Sequence, residues 1–142
     1  MILVDVNLLL HAYDSGSSDH GRAALWLRQA LEGTGTVGLS WETILGFLRI
    51  TTDNKIRTKP LELHEATAIV NDWLARPNVA LVSPAEDHWA VLSNLLPKTR
   101  VRGSLIMDAH LAALAIEHGA TLCTNDRDFA RFPGLRVEYP LQ

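Results

Sequence analysis

The chain has 142 residues, of which 47% are hydrophobic and 20% charged, and its formal net charge is −3. That length and composition suit one globular domain over residues 1–142, without repeats or low-complexity linkers. The single cysteine, Cys123, excludes an internal disulfide and a thiolate metal cluster and indicates a reducing cytoplasm. We expect no membrane-spanning segment, because a membrane helix needs about 20 apolar residues in a row.

Short apolar runs near Gly, Pro or Asn alternate with longer segments of helical spacing. The short runs predict five strands, at residues 2–6, 36–39, 79–83, 120–124 and 135–138. The longer segments predict helices at residues 19–32, 41–52, 61–76, 86–96 and 104–118, after a short helix near Leu8. Because the strands are apolar almost throughout and alternate with helices, we expect a three-layer α/β/α sandwich with a five-stranded, mainly parallel sheet.

The exit of the first predicted strand carries polar residues. Asp5 lies at that exit and Asn7 follows it. In open parallel sheets, ligands bind beyond the carboxyl ends of the strands. A buried carboxylate there costs free energy unless it is bonded or solvated. Either residue could instead simply cap the next helix, so this position alone does not define a site.

Asp108 lies on the apolar face of its predicted helix, which it shares with Leu105, Leu111 and Ala115. A carboxylate on such a face requires a cation, a basic partner or a cavity at the strand ends. Two alternatives stay open. Asp108 could form an ion pair with an arginine such as Arg49, or it could be exposed as a first-turn helix charge.

Two further acidic positions follow predicted strands. Glu42 follows the second strand and opens an apolar helix, although a first-turn glutamate also suits the helix dipole. Asp126 and Asp128 lie in the turn after the fourth strand, where such residues are common without any function. Which of these two aspartates belongs to a site stays open.

We predict that Asp5, Glu42, Asp108 and Asp126 face one cleft at the strand ends. Carboxylates in one place repel one another and raise each other's pKa unless a cation compensates. Oxygen ligands without cysteine suit Mg²⁺ or Mn²⁺. The sequence therefore predicts a divalent-cation site formed by these four acids, which holds one ion or two.

The motifs together resemble PIN-domain ribonucleases, specifically the VapC-type toxins of type II toxin–antitoxin systems. The matching segments are VDVNLLL at 4–10, Glu42 at a helix start, MDAHLAALA at 107–115, TNDRDF at 124–129 and GLRVEYPL at 134–141. Their order covers the chain from end to end.

The resemblance implies the strand order 3-2-1-4-5, Mg²⁺-dependent cleavage of RNA by an activated water, an antitoxin partner that blocks the site, and a homodimer. Asp5 and Asp108 match principal metal ligands, and Glu42 matches a direct or water-mediated one. The fourth acid matches Asp126, with Asp128 as its competitor. The small polar positions that support the ligands match Asn7 and Thr124.

An RNA substrate requires cations near the cleft. If four of the 16 acids bind metal, the rest of the chain is close to neutral, so its acidic net charge does not exclude RNA. Two loops supply cations, and we favour the first because Gly103 and Ser104 connect it to the Asp108 helix. The first contains Lys98, Arg100 and Arg102, and the second contains Lys55, Arg57 and Lys59.

The remaining polar and aromatic residues give weaker signals. The six histidines show no helical metal-binding pair, and His110 is predicted to face away from Asp108, so surface or packing roles are expected. The four tryptophans are predicted to anchor packing or an antitoxin groove. They are Trp26, Trp41, Trp73 and Trp89.

Two other functions stay open. A receiver-like signalling domain also gathers acids at strand ends, but it needs a lysine after the last strand, where the chain has only Tyr139-Pro-Leu-Gln142. A catalytically silent RNA-binding or interaction domain of the same fold is the other alternative. Metal-stimulated RNA cleavage distinguishes an enzyme from this silent domain.

Overall fold

The computed structural model describes all 142 residues, which form five strands and six α-helices. The strands are β1 (Ile2–Val4), β2 (Val37–Ser40), β3 (Val79–Val82), β4 (Thr121–Cys123) and β5 (Arg136–Glu138). The helices are α1 (Val6–Ala12), α2 (His20–Glu32), α3 (Trp41–Thr51), α4 (Leu63–Ala75), α5 (His88–Thr99) and α6 (Leu105–Glu117). A 3₁₀ turn at Arg127–Arg131 lies between β4 and β5.

The five strands form one sheet in the order β3-β2-β1-β4-β5, and every pairing is parallel. The predicted sheet and the strand order implied by the resemblance are therefore confirmed. A receiver-like fold has the order 2-1-3-4-5, so the topology contradicts that alternative. Because β1 lies between β2 and β4, the residues that follow these three strands meet at one edge of the sheet.

Helices cover both faces of the sheet, which confirms the three-layer sandwich. One hydrophobic cluster of 16 buried residues packs the four helices α1, α2, α3 and α4 against one face of the sheet. Within this cluster the ring centroids of Phe47 and Trp73 lie 4.7 Å apart. The other cluster of 13 buried residues joins α5 and α6 with the opposite face. No helix has the length and apolar character needed to span a membrane.

The chain turns abruptly where β1 and β2 end. β1 stops at Val4, two residues before the predicted end, because Asp5 is extended and Val6 already begins α1. Ser40 ends β2 and also caps α3, since its Oγ accepts a hydrogen bond from Thr43 N at 3.2 Å. These turns bring Asp5 and Glu42 to the same edge of the sheet.

Gly38 allows β2 to pack closely against its two neighbours. A Cβ at this position would lie 2.8 Å from Val82 Cγ2 on β3 and 3.1 Å from the Ile2 carbonyl oxygen on β1. Both distances are shorter than ordinary van der Waals contact. A larger residue would therefore push apart the strands that carry the acidic edge.

Candidate metal centre

Asp5 is buried at the exit of β1, with 9% of its surface exposed. Its Oδ2 accepts hydrogen bonds from Thr124 Oγ1 at 2.7 Å and from Asn7 Nδ2 at 3.0 Å. Burial raises the pKa of Asp5, and the negative charge of Asp126 adds to that rise, although these hydrogen bonds lower it. Asp5 precedes α1 but makes no side-chain capping bond, so it does not act as a simple helix cap.

Asn7 and Thr124 connect the start of α1 to the exit of β4. Asn7 Nδ2 also donates to Thr124 Oγ1 at 3.2 Å, and its Oδ1 accepts from Asn125 N at 3.1 Å. Thr124 is fully buried, and its Oγ1 accepts a further hydrogen bond from Asp126 N at 3.0 Å. The two side chains that the resemblance implied as supports therefore contact Asp5 directly and fix its orientation.

Asp108 lies half-buried in the first turn of α6. Its pKa is raised to about 6, first by burial and then by repulsion from Asp126, Asp5 and Asp128. The arginine partner considered from the sequence, Arg49, is absent, because Asp108 forms no ion pair. The positive charge of Arg131 lowers the pKa of Asp108 but does not offset these effects, so Asp108 shares an acidic region with Asp5 and Asp126.

Asp126 and Asp128 have different surroundings in the turn after β4. Asp126 is half-buried, and its Oδ1 caps the 3₁₀ turn by accepting from Asp128 N at 2.9 Å. Its charge raises the pKa of both Asp5 and Asp108. Asp128 is exposed, and its carboxylate lies 3.5 Å from Arg131 Nη2. Asp126 is thus the aspartate that faces the other acids more directly.

Glu42 lies in the first turn of α3, with 42% of its side chain exposed. The following residue anchors this turn to the site, because Thr43 Oγ1 donates to the carbonyl oxygen of Val4, which precedes Asp5, at 3.3 Å. The Glu42 carboxylate itself contacts a histidine that the sequence reasoning did not include. Glu42 Oε1 lies 3.0 Å from His110 Nε2, without the alignment of a hydrogen bond.

The donor set fits a hard divalent cation, since it consists of carboxylate oxygens. The carboxylates are not closed around one point, however, because no three Asp, Glu, His or Cys side chains converge closely enough to hold a metal ion. Asp5, Asp108 and Asp126 form an acidic group, while Glu42 is engaged with His110. A cation would have to draw these side chains together.

The two basic loops differ in how free their side chains are. Lys98 lies in the last turn of α5, which extends to Thr99, and not in the loop that the sequence predicted. Lys98, Arg100 and Arg102 are exposed and form no ion pair, and they precede the helix that carries Asp108. In the other loop, Arg57 is largely buried, donates to the Tyr13 carbonyl oxygen at 2.9 Å and lies 3.5 Å from Asp14. Arg57 therefore has a structural role.

The histidines and tryptophans divide into buried and exposed groups. Trp73 is fully buried and donates from Nε1 to Tyr13 Oη at 3.1 Å, which confirms a packing role. Trp41 and Trp89 are 49% and 68% exposed.

The expectation that the histidines have only surface or packing roles was incomplete, because His110 contacts Glu42. No local spacing in the sequence indicated this contact.

Comparison with known proteins finds a family and relatives that match nearly the whole chain. The PIN domain profile matches residues 2–135. Ribonuclease VapC37 of Mycobacterium tuberculosis is 40% identical over 140 residues, which span 99% of this chain and 97% of that protein. Ribonuclease VapC33 of the same species is 38% identical over 142 residues, which span 100% of this chain and 99% of that protein.

Solved structures share the fold at lower identity. VapBC2 from Rickettsia felis, bound to a DNA fragment from its promoter, has a TM-score of 0.70 at 18% identity and covers 97% of this chain and 98% of its own. VapC20 of Mycobacterium tuberculosis, described as a Sarcin-Ricin loop cleaving toxin, has a TM-score of 0.66 at 18% identity and covers 96% and 99%. The PIN domain profile covers most of this chain, and the VapC ribonucleases match it over nearly its whole length. The chain therefore belongs to the PIN domain family and is of the VapC type.

Proposed function

We propose that this chain is a Mg²⁺-dependent endoribonuclease that acts as the toxin of a toxin–antitoxin pair. One observation carries the metal dependence. Asp5 and Asp108 have raised pKa values beside Asp126, and neither forms an ion pair with a basic side chain. Such a group of carboxylates is unfavourable unless a cation or a proton offsets the repulsion.

In this proposal, Asp5 and Asp108 are the principal ligands of Mg²⁺ or Mn²⁺. Asp126 is the fourth acid, and Glu42 contributes directly or through water. Asn7 and Thr124 hold the Asp5 carboxylate by hydrogen bonds of 3.0 and 2.7 Å, which leave its other oxygen to face the cation. When bound, the cation would supply a more acidic water and offset charge on a phosphodiester.

RNA as the substrate rests mainly on the relatives. VapC37 and VapC33 are named ribonucleases, and they match this chain over nearly its whole length. The exposed cations of the α5–α6 loop suit phosphate contacts, but such contacts do not distinguish RNA from DNA. We place the phosphate backbone beside this loop, next to the turn that carries Asp108.

An antitoxin partner is supported by two observations. Solved structures with this fold include VapBC2 from Rickettsia felis and a toxin–antitoxin complex from Klebsiella pneumoniae. In this chain, large apolar side chains are exposed next to site residues in the sequence. They are Trp41, beside Glu42, and Ile106 and Met107, before Asp108, with exposures of 49%, 38% and 54%. Homodimerisation stays a prediction.

Cleavage of labelled RNA by the purified, antitoxin-free chain tests the enzyme proposal. We expect cutting with Mg²⁺ or Mn²⁺, none with EDTA, and at least a hundredfold loss in Asp5→Asn and Asp108→Asn, a large effect for removal of a metal ligand. Exposed Glu86→Gln is the matched control, and circular dichroism verifies folding. A parent protein that cuts no RNA, or aspartate variants that cut as well as the parent, would refute the proposal. A single-stranded DNA substrate of the same sequence tests the choice of RNA.

A further inference from the structure

A line of polar contacts runs from the end of α6 to Glu42. His88 Nδ1 lies 2.9 Å from Glu117 Oε1, and His88 Nε2 lies 2.9 Å from His110 Nδ1. His110 Nε2 then lies 3.0 Å from Glu42 Oε1. We call the first three residues the Glu117–His88–His110 chain. It joins two turns of α6 through the first residue of α5.

The far end of this chain is fixed inside the protein. The Glu117 side chain is only 1% exposed. Its Oε1 also accepts a hydrogen bond from Ala85 N at 3.3 Å, and His118 Nε2 lies 3.9 Å away. A buried carboxylate is stable only when it is paired and hydrogen-bonded. Glu117 therefore serves as a rigid acceptor for His88.

The two imidazole rings pass this constraint on. The side chains of His88 and His110 are 14% and 16% exposed, and their rings meet edge to face at 81°. Because a carboxylate oxygen only accepts, His88 Nδ1 donates to Glu117. The contact between His88 Nε2 and His110 Nδ1 then needs one proton between two nitrogens. Each ring is thus restrained on one side by its neighbour, which determines where His110 Nε2 points.

The near end of the chain meets a side chain that has no other restraint. The Glu42 side chain is 42% exposed, and its contact with His110 Nε2 lacks the alignment of a hydrogen bond. A long glutamate in this position would populate several rotamers, and ordering it on binding a cation would cost conformational entropy. His110 restricts that freedom by placing Nε2 against one carboxylate oxygen and leaving the other available. This contact is attractive only with a hydrogen on Nε2, so the two rings then share three protons and one positive charge, which lies between the carboxylates of Glu42 and Glu117.

We infer that the Glu117–His88–His110 chain positions Glu42 for the cation. These are positioning residues, because none of them pairs with Asp5, Asp108 or Asp126 and only His110 contacts Glu42. The inference rests on the proposed function, because it requires a cation site at Asp5 and Asp108. A positioning role differs from a packing role in one respect. Disrupting the Glu117–His88–His110 chain should weaken cation binding only while Glu42 is present.

Calorimetric titration with Mn²⁺ tests the positioning role of the Glu117–His88–His110 chain directly. In His88→Leu we expect Mn²⁺ affinity to fall about tenfold, a usual effect of losing an outer-shell partner. We also expect kcat on RNA to fall while KM for RNA is unchanged, since no phosphate contact is altered. His64→Leu is the matched control, because His64 is exposed and its side chain makes no hydrogen bond. This control should bind Mn²⁺ like the parent.

A double-mutant cycle then separates positioning from packing. In the Glu42→Gln background, His88→Leu should have no further effect on Mn²⁺ affinity, because the residue through which it acts has been altered. The inference is overturned if the two effects simply multiply, or if His88→Leu alone binds Mn²⁺ with the parent affinity. If His88→Leu does not fold, Glu117→Gln is measured in its place, and unchanged Mn²⁺ affinity in that variant overturns the inference equally.

The same titration distinguishes this inference from the function on which it rests. A parent protein that binds no Mn²⁺ would refute the metal site and the positioning role together. A parent that binds Mn²⁺ through Asp5 and Asp108, with His88→Leu binding equally well, would refute the positioning role alone.

Discussion

Thr124 donates a 2.7 Å hydrogen bond to Asp5, although 119 residues separate them in the sequence. The bond exists because β1 and β4 are adjacent parallel strands with Val4 paired to Cys123. The residues that follow the two strands therefore emerge side by side. Thr124 is fully buried and holds the carboxylate that we propose as a principal metal ligand.

Replacing Thr124 by valine should impair the metal site while keeping the shape of the core. Asp5 would lose its shortest hydrogen bond, and its already raised pKa would rise further, because that bond lowers it. We expect Mn²⁺ affinity and RNA cleavage to fall by about tenfold to a hundredfold, as for other outer-shell partners. Titration calorimetry and a cleavage assay measure these changes. Thr121→Val, at the start of β4, should leave both close to the parent values.

The stability of the metal-free protein should depend on the charge of Asp108. Its pKa is raised to about 6 in the folded protein, from an ordinary value of 3.8. The folded state therefore binds the proton more tightly than the unfolded state. This contribution to stability is complete below about pH 4 and is lost as the pH rises through about 6.

Asp108→Asn should remove that dependence. With EDTA present, we expect the variant to be more stable than the parent at pH 7 by on the order of 1 kcal/mol, after allowance for solvent screening. The difference should shrink between pH 6 and about pH 4. Urea unfolding at several pH values measures it. Equal pH dependence in parent and variant would contradict the prediction, and exposed Glu86→Gln is the control.

Asp126 and Asp128 should differ in their effect on metal binding. Asp126 faces Asp5 and Asp108, whereas Asp128 is exposed and lies near Arg131. We expect Asp126→Asn to weaken Mn²⁺ binding by about tenfold or more and Asp128→Asn to change it by less than about threefold. Asparagine can still accept the capping bond from Asp128 N, so the turn should persist. A larger effect at Asp128 would reverse the assignment.

Alanine substitutions at Gly38 and Gly21 should change the stability of the protein in opposite directions. A Cβ at Gly38 would lie 2.8 Å from Val82 Cγ2, whereas a Cβ at Gly21 in α2 would meet nothing within 4 Å. We expect Gly38→Ala to lower the free energy of unfolding by about 1–3 kcal/mol through overpacking. Gly21→Ala should raise it by about 0.5–1 kcal/mol, because alanine favours the helix. Urea denaturation measures both, and a stable Gly38→Ala would show that the strands can separate without cost.

The basic residues at the end of α5 and in the α5–α6 loop should contribute to RNA binding through charge. Removing Lys98 and Arg102 by substitution with glutamine should weaken binding of a single-stranded RNA and reduce its salt dependence. The slope of log affinity against log salt should fall by about 0.7 for each phosphate that the variant no longer neutralises. Fluorescence anisotropy with Ca²⁺ in place of Mg²⁺ measures binding without cleavage. Lys55 and Lys59, changed in the same way, are the control, and an equal weakening there would argue against the loop.

The sequence was sufficient to predict the position of Asp5 and the order of elements around it. A charged residue that interrupts an apolar run marks a strand exit, and that signal is local. Asp108 was likewise identified because it shares a helix face with leucine and alanine. The end of β1 was placed two residues too late, because the apolar Val6 suits a strand and a helix equally well.

The contacts of Glu42 were not predictable in the same way. His88 and His110 are 22 residues apart, and His88 and Glu117 are 29 residues apart. Their meeting depends on how α5 packs on α6, which the period of hydrophobic residues does not determine. The choice between Asp126 and Asp128 also needed the structure, since only the conformation of the 3₁₀ turn shows which carboxylate faces inward.

The central position of β1 between β2 and β4 also bears on how the protein is made. A ribosome releases Asp5 first, Glu42 next, Asp108 later, and Thr124 and Asp126 last among these residues. Until β4 (Thr121–Cys123) pairs with β1, the Asp5 carboxylate lacks its hydrogen bond from Thr124 and its acidic neighbour Asp126. A nascent chain that has not yet reached Asp126 therefore lacks the assembled acidic edge, and a cell translating this protein is exposed to that edge only after β4 and the turn that follows it have been made.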